Sequence, residues 1–173
     1  MLEFLPFKDH PEYLPEKSQA FVTGHDLAGK IFVAQIDPAF ADGQKLADHY
    51  GVNIKTELNC LVFAGKRQGQ VKKAAVLVPY EKRVNSGSIL KHAMDVSKVS
   101  FANLDEVTAE TGMEFGSITA VGLPADYQIL IDSSVQDLDE VVIGSGKIDS
   151  KIKTTPAVLS SLPNAHFIDN LAK

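Results

Sequence analysis

The segment EFGSITAVGLPAD, residues 114–126, contains two glycines and a proline and carries charge only at its two ends. Glycine allows a backbone to approach a ligand closely and to adopt positive φ angles. Backbone N–H groups presented in this way can stabilise the oxyanion that forms when water attacks an ester. The segment therefore has two interpretations: the wall of a pocket that hydrolyses an activated ester without a nucleophilic side chain, or a turn between a helix and a strand.

Other familiar chemistries do not fit the sequence. The single cysteine, Cys60, lies in the apolar run NCLVF, which predicts a buried and inert thiol. GSGK at 144–147 resembles a phosphate-binding loop, but Val141 replaces its first glycine and Ile148 its magnesium-binding hydroxyl. No serine lies in a G-x-S-x-G motif, and no two histidines have the spacing of zinc ligands on one helix face. We therefore predict no metal and no cofactor.

Charge is segregated along the chain. Residues 55–98 hold nine Lys/Arg against three Asp/Glu, a net charge of +6, whereas residues 99–150 hold one against ten, a net charge of −9. The basic segment could contact a polyanion such as a nucleic acid backbone, with Arg67, Lys72 and Lys73 as the contacting residues. The alternative is an ordinary solvated hairpin surface.

Length and composition predict one domain. The chain has 173 residues, of which 45% are hydrophobic, enough to bury a core of its own. No apolar run approaches the roughly 20 residues that cross a bilayer. The N-terminal segment carries Pro and acidic residues where a signal peptide would be basic and then apolar. We expect a cytoplasmic protein with no membrane partner.

The elements that must position the loop are short and alternate in type. Asp37, as N-cap, and Gly51, as the stop, predict a helix over 37–51. Residues 58–79 predict a hairpin whose loop has about five residues. Asn103 and Glu106 form a capping box that begins a helix ending at Gly112. Further strands are predicted at 30–36, 127–132, 140–146 and 165–169, and further helices at 85–94 and 155–163. Strands outnumber helices, which indicates an α+β fold with a mixed sheet.

Four motifs carry a resemblance to a known family. They are NCLVFAG (59–65), TGMEFGSITAVGLP (111–124), ILIDSSV (129–135) and VVIGSGK (141–147), preceded by a matching helical segment at 36–52. In this order and at these separations they resemble the YbaK/EbsC family of aminoacyl-tRNA editing domains, which is related to the editing insertion of bacterial prolyl-tRNA synthetases. The resemblance runs from about Ala34 to the C-terminus. Residues 1–33 are expected to be an extension that packs on the same domain.

The resemblance implies a curved, barrel-like mixed sheet flanked by short helices, and a pocket that hydrolyses the ester at the 3′ end of a mischarged tRNA. An aminoacyl-tRNA synthetase is a further implied partner. Carried over by position, the catalytic residues are Asn59 and Gly116, and Lys147, just after the 144–146 turn, is expected to supply the cation that Asn59 lacks. The implied substrate-binding residues are Ser117, Ile118, Thr119, Ala120, Gly122, Asp132, Gly144, Ser145 and Gly146. Asp132 has a second interpretation, because Asp at a strand end commonly forms a turn.

This sequence departs from the family pattern at two positions. Asn59 replaces the lysine usual before the strand core, and Ala120 replaces the proline usual four residues after the loop glycine. Three functions follow. The first is trans-editing hydrolysis of a mischarged aminoacyl-tRNA, supported by Gly116, Asp132 and the 144–146 turn. The main alternative is a non-catalytic protein of the same fold that binds aminoacyl-tRNA, a nucleotide or another small ligand, and a third is a hydrolase of other activated aminoacyl esters.

Overall fold

Two β-sheets form the framework of the computed structural model, which describes all residues 1–173. The strands are β1 (Leu5–Pro6), β2 (Phe32–Gln35), β3 (Leu58–Arg67), β4 (Gln70–Pro79), β5 (Lys98–Phe101), β6 (Gln128–Asp132), β7 (Val141–Gly144), β8 (Ser150–Thr154) and β9 (Ala165–Ile168). The helices are α1 (Glu16–Gly24), α2 (Gly43–Tyr50), α3 (Ser88–Met94), α4 (Leu104–Thr111) and α5 (Pro156–Ser161). Short 3-10 turns connect several of these elements.

The two sheets differ in strand direction. The four-stranded sheet has the order β1-β2-β8-β7 and is antiparallel throughout. The five-stranded sheet has the order β5-β3-β4-β6-β9, and its β4-β6 and β6-β9 pairs are parallel. A single bridge between Glu57 and Val142 joins the sheets. The predicted mixed α+β fold is confirmed, but the barrel does not close, because β7 meets β3 only at the start of that strand.

The β3-β4 hairpin is tighter than the sequence indicated. Arg67 pairs with Gln70, so the turn has only two residues, Gln68 and Gly69, with φ of 50° and 80°. Positive φ at both positions is the type I′ geometry, whose twist matches that of the strands. The predicted loop of about five residues was therefore too long, since both strands continue to the turn.

Helix ends follow the local sequence more closely than helix starts. The Asn103 side chain accepts hydrogen bonds from the N–H groups of the first turn of α4, and Gly112 ends that helix at φ 71°. Gly51 ends α2 at the same φ. Asp37, however, caps a 3-10 turn over Pro38–Phe40, and α2 begins only at Gly43. None of the helices is both long enough and apolar enough to span a membrane.

The largest hydrophobic cluster draws on both sheets and on the N-terminal residues. Phe7, Leu14, Val22 and Ile31 pack in it beside strand residues such as Ile131. Residues 1–33, expected to be an extension that packs on the domain, therefore supply part of the main core, with Val22 from α1 and most of the others from the turns around it. The sequence patterns also did not predict β5, whose positions are exposed or half-buried, and β8, in which only alternate residues are buried.

Candidate active site

A cavity of about 530 Å³ opens along one edge of β3. Strand β7 approaches this edge at Glu57, and β5 pairs with it from Phe63 onward. Residues 58–62, between these two contacts, line the cavity together with the start of the 114–126 loop. The gap between two strands on one edge of β3 therefore creates the cavity.

The backbone of β3 contributes polar groups to this gap. The Tyr80 N–H donates to the Glu57 carbonyl at 2.8 Å, so in this antiparallel pair the odd-numbered β3 residues bond to β4. The even-numbered ones point the other way, as the Val62 carbonyl shows by accepting from the Ala102 N–H at 2.9 Å. The N–H and carbonyl of Cys60 therefore face the cavity side of the strand.

The loop presents free backbone donors at the cavity. Gly116 has φ 83° and, with Ser117 and Ile118, lines the cavity. The Ser117 N–H donates to the Glu114 carbonyl at 3.1 Å, which holds the turn. The N–H groups of Gly116 and Ile118 donate to no acceptor within the protein. Unbonded donors in a fixed loop beside a cavity are one requirement for stabilising a developing oxyanion.

The 144–146 turn holds this loop in place. Only Gly144 of the turn lines the cavity, and a Cβ at that position would lie 2.9 Å from the carbonyl oxygens of Ser117 and Ile118. The Gly146 N–H donates to the Ser117 carbonyl at 2.7 Å. Ser145 is buried and its Oγ bonds to the Ser150 Oγ at 2.6 Å. Ser145 and Gly146 therefore position the loop without lining the cavity.

The opposite wall is polar, and no sequence pattern pointed to it. Glu57, Lys151, Asp42 and Tyr80 all line the cavity there. Glu57 is only 4% exposed, and burial raises the pKa of its carboxyl from 4.5 to about 7. Burial also lowers the pKa of Lys151, while Glu57 opposes that change. The Tyr80 hydroxyl lies 3.1 Å from both carboxylate oxygens of Asp42.

Close packing between distant segments explains why no sequence pattern pointed to the residues of this wall. A Cβ at Gly43 would lie 2.5 Å from the Tyr80 ring and 2.7 Å from the Glu57 Oε2. Glycine at the start of α2 thus allows Tyr80 and Glu57 to approach the helix. Lys151 pairs with Gly144 across β7 and β8, so both point to one face and the missing side chain leaves room for the lysine. Each residue alone looks like an ordinary surface position.

The buried carboxyl leads to a stability prediction. Between pH 4.5 and about 7 the unfolded chain ionises at Glu57 while the folded chain keeps the proton, so wild-type stability should fall as pH rises through this window. Glu57→Gln removes this loss, so the variant should gain at most about 3 kcal/mol over wild type at pH 8 and little at pH 5. The gain is an upper bound because Lys151 loses a counter-charge. Urea unfolding at both pH values, with the exposed Glu81→Gln as control, measures it. An equal difference at both pH values would contradict the prediction.

Asn59 and Cys60 both line the cavity from β3. Asn59 is half-buried and its amide makes no hydrogen bond to another protein group, so it can donate to or accept from a ligand. Burial raises the pKa of the Cys60 thiol to about 12. Cys60 therefore stays protonated near neutral pH and does not act as a nucleophile, as expected from its apolar surroundings.

Three loop residues assigned to the substrate lie behind the cavity wall. Thr119 and Ala120 are buried, and Ala120 belongs to the main core cluster. A Cβ at Gly122 would lie 2.7 Å from the Ser18 Cα, so this glycine lets the loop pack on α1. Only the first part of the loop, through Ile118, thus reaches the cavity. The second part anchors it to the core.

Asp132 and Lys147 also lie outside the cavity. The buried Asp132 carboxylate accepts from the Ser134 N–H at 3.1 Å and from the Ala172 N–H at 2.7 Å. This is the turn-forming role that an Asp at a strand end often has. The Lys147 ammonium donates to the Glu12 carbonyl at 2.8 Å and so fastens the 144–146 turn to the N-terminal segment. The lysine of the cavity is Lys151.

The basic residues of the hairpin are paired with acidic ones. Arg67 and Lys72 both contact Asp95, the latter at 3.2 Å. Lys73 contacts Glu110 at 2.6 Å, which raises the pKa of the lysine. Basic residues of the hairpin are therefore largely neutralised by acidic residues within the fold. Arg67 remains 55% exposed and available to a phosphate, whereas Lys73 is 14% exposed.

Exposed apolar side chains border the cavity. Phe101 is 68% and Phe115 69% exposed, and both line the cavity with the partly exposed Leu104. The Phe101 ring stacks on Phe63 with centroids 4.6 Å apart, which fixes its orientation. Exposed aromatic rings beside a cavity offer faces on which a nucleobase can stack.

No group of three or more His, Cys, Asp or Glu side chains in the chain is arranged to hold a metal ion.

Comparison with known proteins agrees with this geometry. The family model described as "Aminoacyl-tRNA editing domain" matches residues 37–162. A proline–tRNA ligase of Lactobacillus johnsonii is 30% identical over 83% of this chain, but the match spans only 22% of that ligase. A putative Cys-tRNA(Pro)/Cys-tRNA(Cys) deacylase, EbsC, of Enterococcus faecalis is 22% identical over 75% of this chain and 77% of its own length. The crystal structure of a putative trans-editing enzyme for prolyl-tRNA synthetase superposes with a TM-score of 0.76 at 20% identity, covering 90% of this chain and 97% of that one.

Proposed function

Because this chain belongs to the aminoacyl-tRNA editing domain family, we propose that it is a deacylase that hydrolyses the aminoacyl ester at the 3′ end of a mischarged tRNA. The observation that carries this proposal is the pair of unbonded N–H groups, on Gly116 and Ile118, in the loop that lines the cavity. A pocket that only bound a ligand would not need donors preorganised for an oxyanion.

The reaction requires little from the side chains. Water adds to the ester carbonyl carbon, the loop N–H groups stabilise the oxyanion, and the bond to the ribose oxygen then breaks. The leaving ribose oxygen takes up one proton of the water and becomes a hydroxyl, the other proton passes to solvent, and the amino acid leaves as a carboxylate. The Asn59 amide, which lies in the cavity without a protein partner, is placed to orient the water or the ester. This role replaces the cation that the family pattern has at this position.

The borders of the cavity fit the rest of the substrate. Phe101 and Phe115 offer faces for the terminal adenine and its neighbour, and stacking on an aromatic side chain contributes about 1–3 kcal/mol per base. Arg67 is the most available of the three hairpin cations for a backbone phosphate. A tRNA substrate implies action in the cytoplasm, beside the synthetase that charges the tRNA.

A second function remains a candidate because of Asn59. The only lysine that lines the cavity, Lys151, belongs to β8, so no cation occupies the β3 position of the missing one. A protein that binds the aminoacyl end without turning it over would keep the cavity and the aromatic border but would not need the two free N–H groups of the loop. The two functions differ in one measurable quantity, the rate of ester hydrolysis.

Single-turnover deacylation separates these functions. We expect wild type to deacylate the proline tRNA charged with alanine, serine or cysteine at least about tenfold faster than the uncatalysed reaction. The deacylation rate of Asn59→Ala should be about tenfold lower than that of wild type. Lys147→Ala should stay within about twofold of wild type, since its ammonium binds the Glu12 carbonyl and not the cavity. If wild type binds the charged tRNA but leaves every ester at its uncatalysed rate, the binding function takes the place of the deacylase.

A further inference from the structure

The polar wall contains a carboxylate that the proposed chemistry does not use. Glu57 is 4% exposed, and its Oε1 is fully buried with no hydrogen-bond partner. Glu57 makes no direct ion pair with Lys151, although the charge of that lysine influences its pKa. A buried carboxylate oxygen without a donor is costly, so such groups in proteins normally have a partner. Its Oε2 also has no protein hydrogen-bond partner but is not fully buried, so this is the oxygen through which Glu57 can contact a ligand in the cavity.

The charges of the wall indicate which chemical group would be the missing partner of Glu57. Asp42, Glu57 and Lys151 are the charged residues that line the cavity, so the wall has a net charge of −1 when all three are ionised. The Tyr80 hydroxyl is already shared with Asp42. A singly charged cation would balance the wall and give Glu57 a charge-assisted hydrogen bond. An aminoacyl ester with a free amino group carries one such group, its α-ammonium.

The distance to the loop also fits an aminoacyl ester. Glu57 bridges to Val142, while Gly144, two residues further along β7, packs against the backbone of Ser117 and Ile118. Two residues of a strand span about 7 Å. An ester carbonyl at about 3 Å from the loop donors therefore leaves its α-nitrogen, two bonds away, within hydrogen-bond reach of this wall.

We propose that Glu57 binds the α-ammonium group of the aminoacyl moiety, with Lys151 and Asp42 setting the charge of the wall. The inference rests on the proposed function and adds a specificity to it. The site would accept free aminoacyl esters of tRNA and reject those whose amino group is acylated, because an amide nitrogen carries no charge and adds bulk at the wall.

The test compares two stable analogues of the tRNA end. One is 3′-amino-3′-deoxyadenosine acylated with alanine, and the other carries a propionyl group and so lacks only the amine. By calorimetry, the alanyl analogue should bind wild type about 10- to 100-fold more tightly than the propionyl analogue. Glu57→Gln should remove most of that difference, and Glu81→Gln, at an exposed position outside the cavity, should preserve it.

A kinetic comparison gives a second measurement that does not require a stable variant. Relative to the uncatalysed rate of each ester, wild type should accelerate alanyl-tRNA at least about tenfold more than N-acetyl-alanyl-tRNA. Equal binding of the two analogues, or equal acceleration of the two tRNAs, would overturn the role of Glu57 while leaving the deacylase intact. If Glu57→Gln weakens only an analogue acylated with serine, the carboxylate recognises the side chain and the inference is wrong. Absence of both binding and deacylation would overturn the proposed function and this inference with it.

Discussion

Gly116→Val is expected to slow deacylation by at least about 100-fold, the usual effect of removing one oxyanion donor. Gly116 has φ 83°, a conformation in which valine is strongly strained, so the loop must change its backbone to accommodate the side chain. That change moves the N–H groups of Gly116 and Ile118, which are the donors assigned to the ester. The rate under single-turnover conditions with saturating protein measures the chemical step directly.

Gly112→Val is the matched control. Gly112 has φ 71° and nothing within 4 Å of an added Cβ, so valine there is strained to a similar extent but lies at the end of α4, outside the cavity. Both variants should lose similar stability in thermal unfolding, and only Gly116→Val should lose its rate. Equal rates in the two variants would remove the loop from the reaction.

Gly144→Ala should both destabilise the protein and abolish most activity. The added Cβ would lie 2.9 Å from two backbone oxygens, those of Ser117 and Ile118, which cannot rotate away as a side chain would. Either β7 or the loop must shift, and overpacking of this kind costs about 1–3 kcal/mol. A shift of the loop by even about 1 Å costs about 100-fold in rate.

Gly24→Ala provides the comparison for this variant. Gly24 ends α1 with nothing within 4 Å of an added Cβ, and its φ lies outside the left-handed region. Its stability and rate should match wild type. Urea unfolding and deacylation rates of both variants test the prediction. A stable, fully active Gly144→Ala protein would show that the close packing of β7 on the loop is unnecessary.

Local signals in the sequence determined the parts of this protein that depend on neighbours along the chain. The Asn103 cap, the glycine stops at 51 and 112 and the apolar strands of the hairpin follow from residue types at short spacing. The glycine-rich loop was identified in the same way, and Gly116 does have the positive φ that its sequence indicated. The family resemblance followed from four such motifs in order, and the matching family model confirmed it.

Tertiary structure alone decided which residues share the cavity. Lys151, and not Lys147, reaches it, because β8 pairs between β2 and β7 and turns that side chain inward, while the Lys147 ammonium is held by the Glu12 carbonyl. Glu57 becomes a buried acid only because β7, distant in sequence, meets the start of β3. Strand partners, and the burial they impose, depend on contacts between distant segments, and residue types at short spacing do not record those contacts.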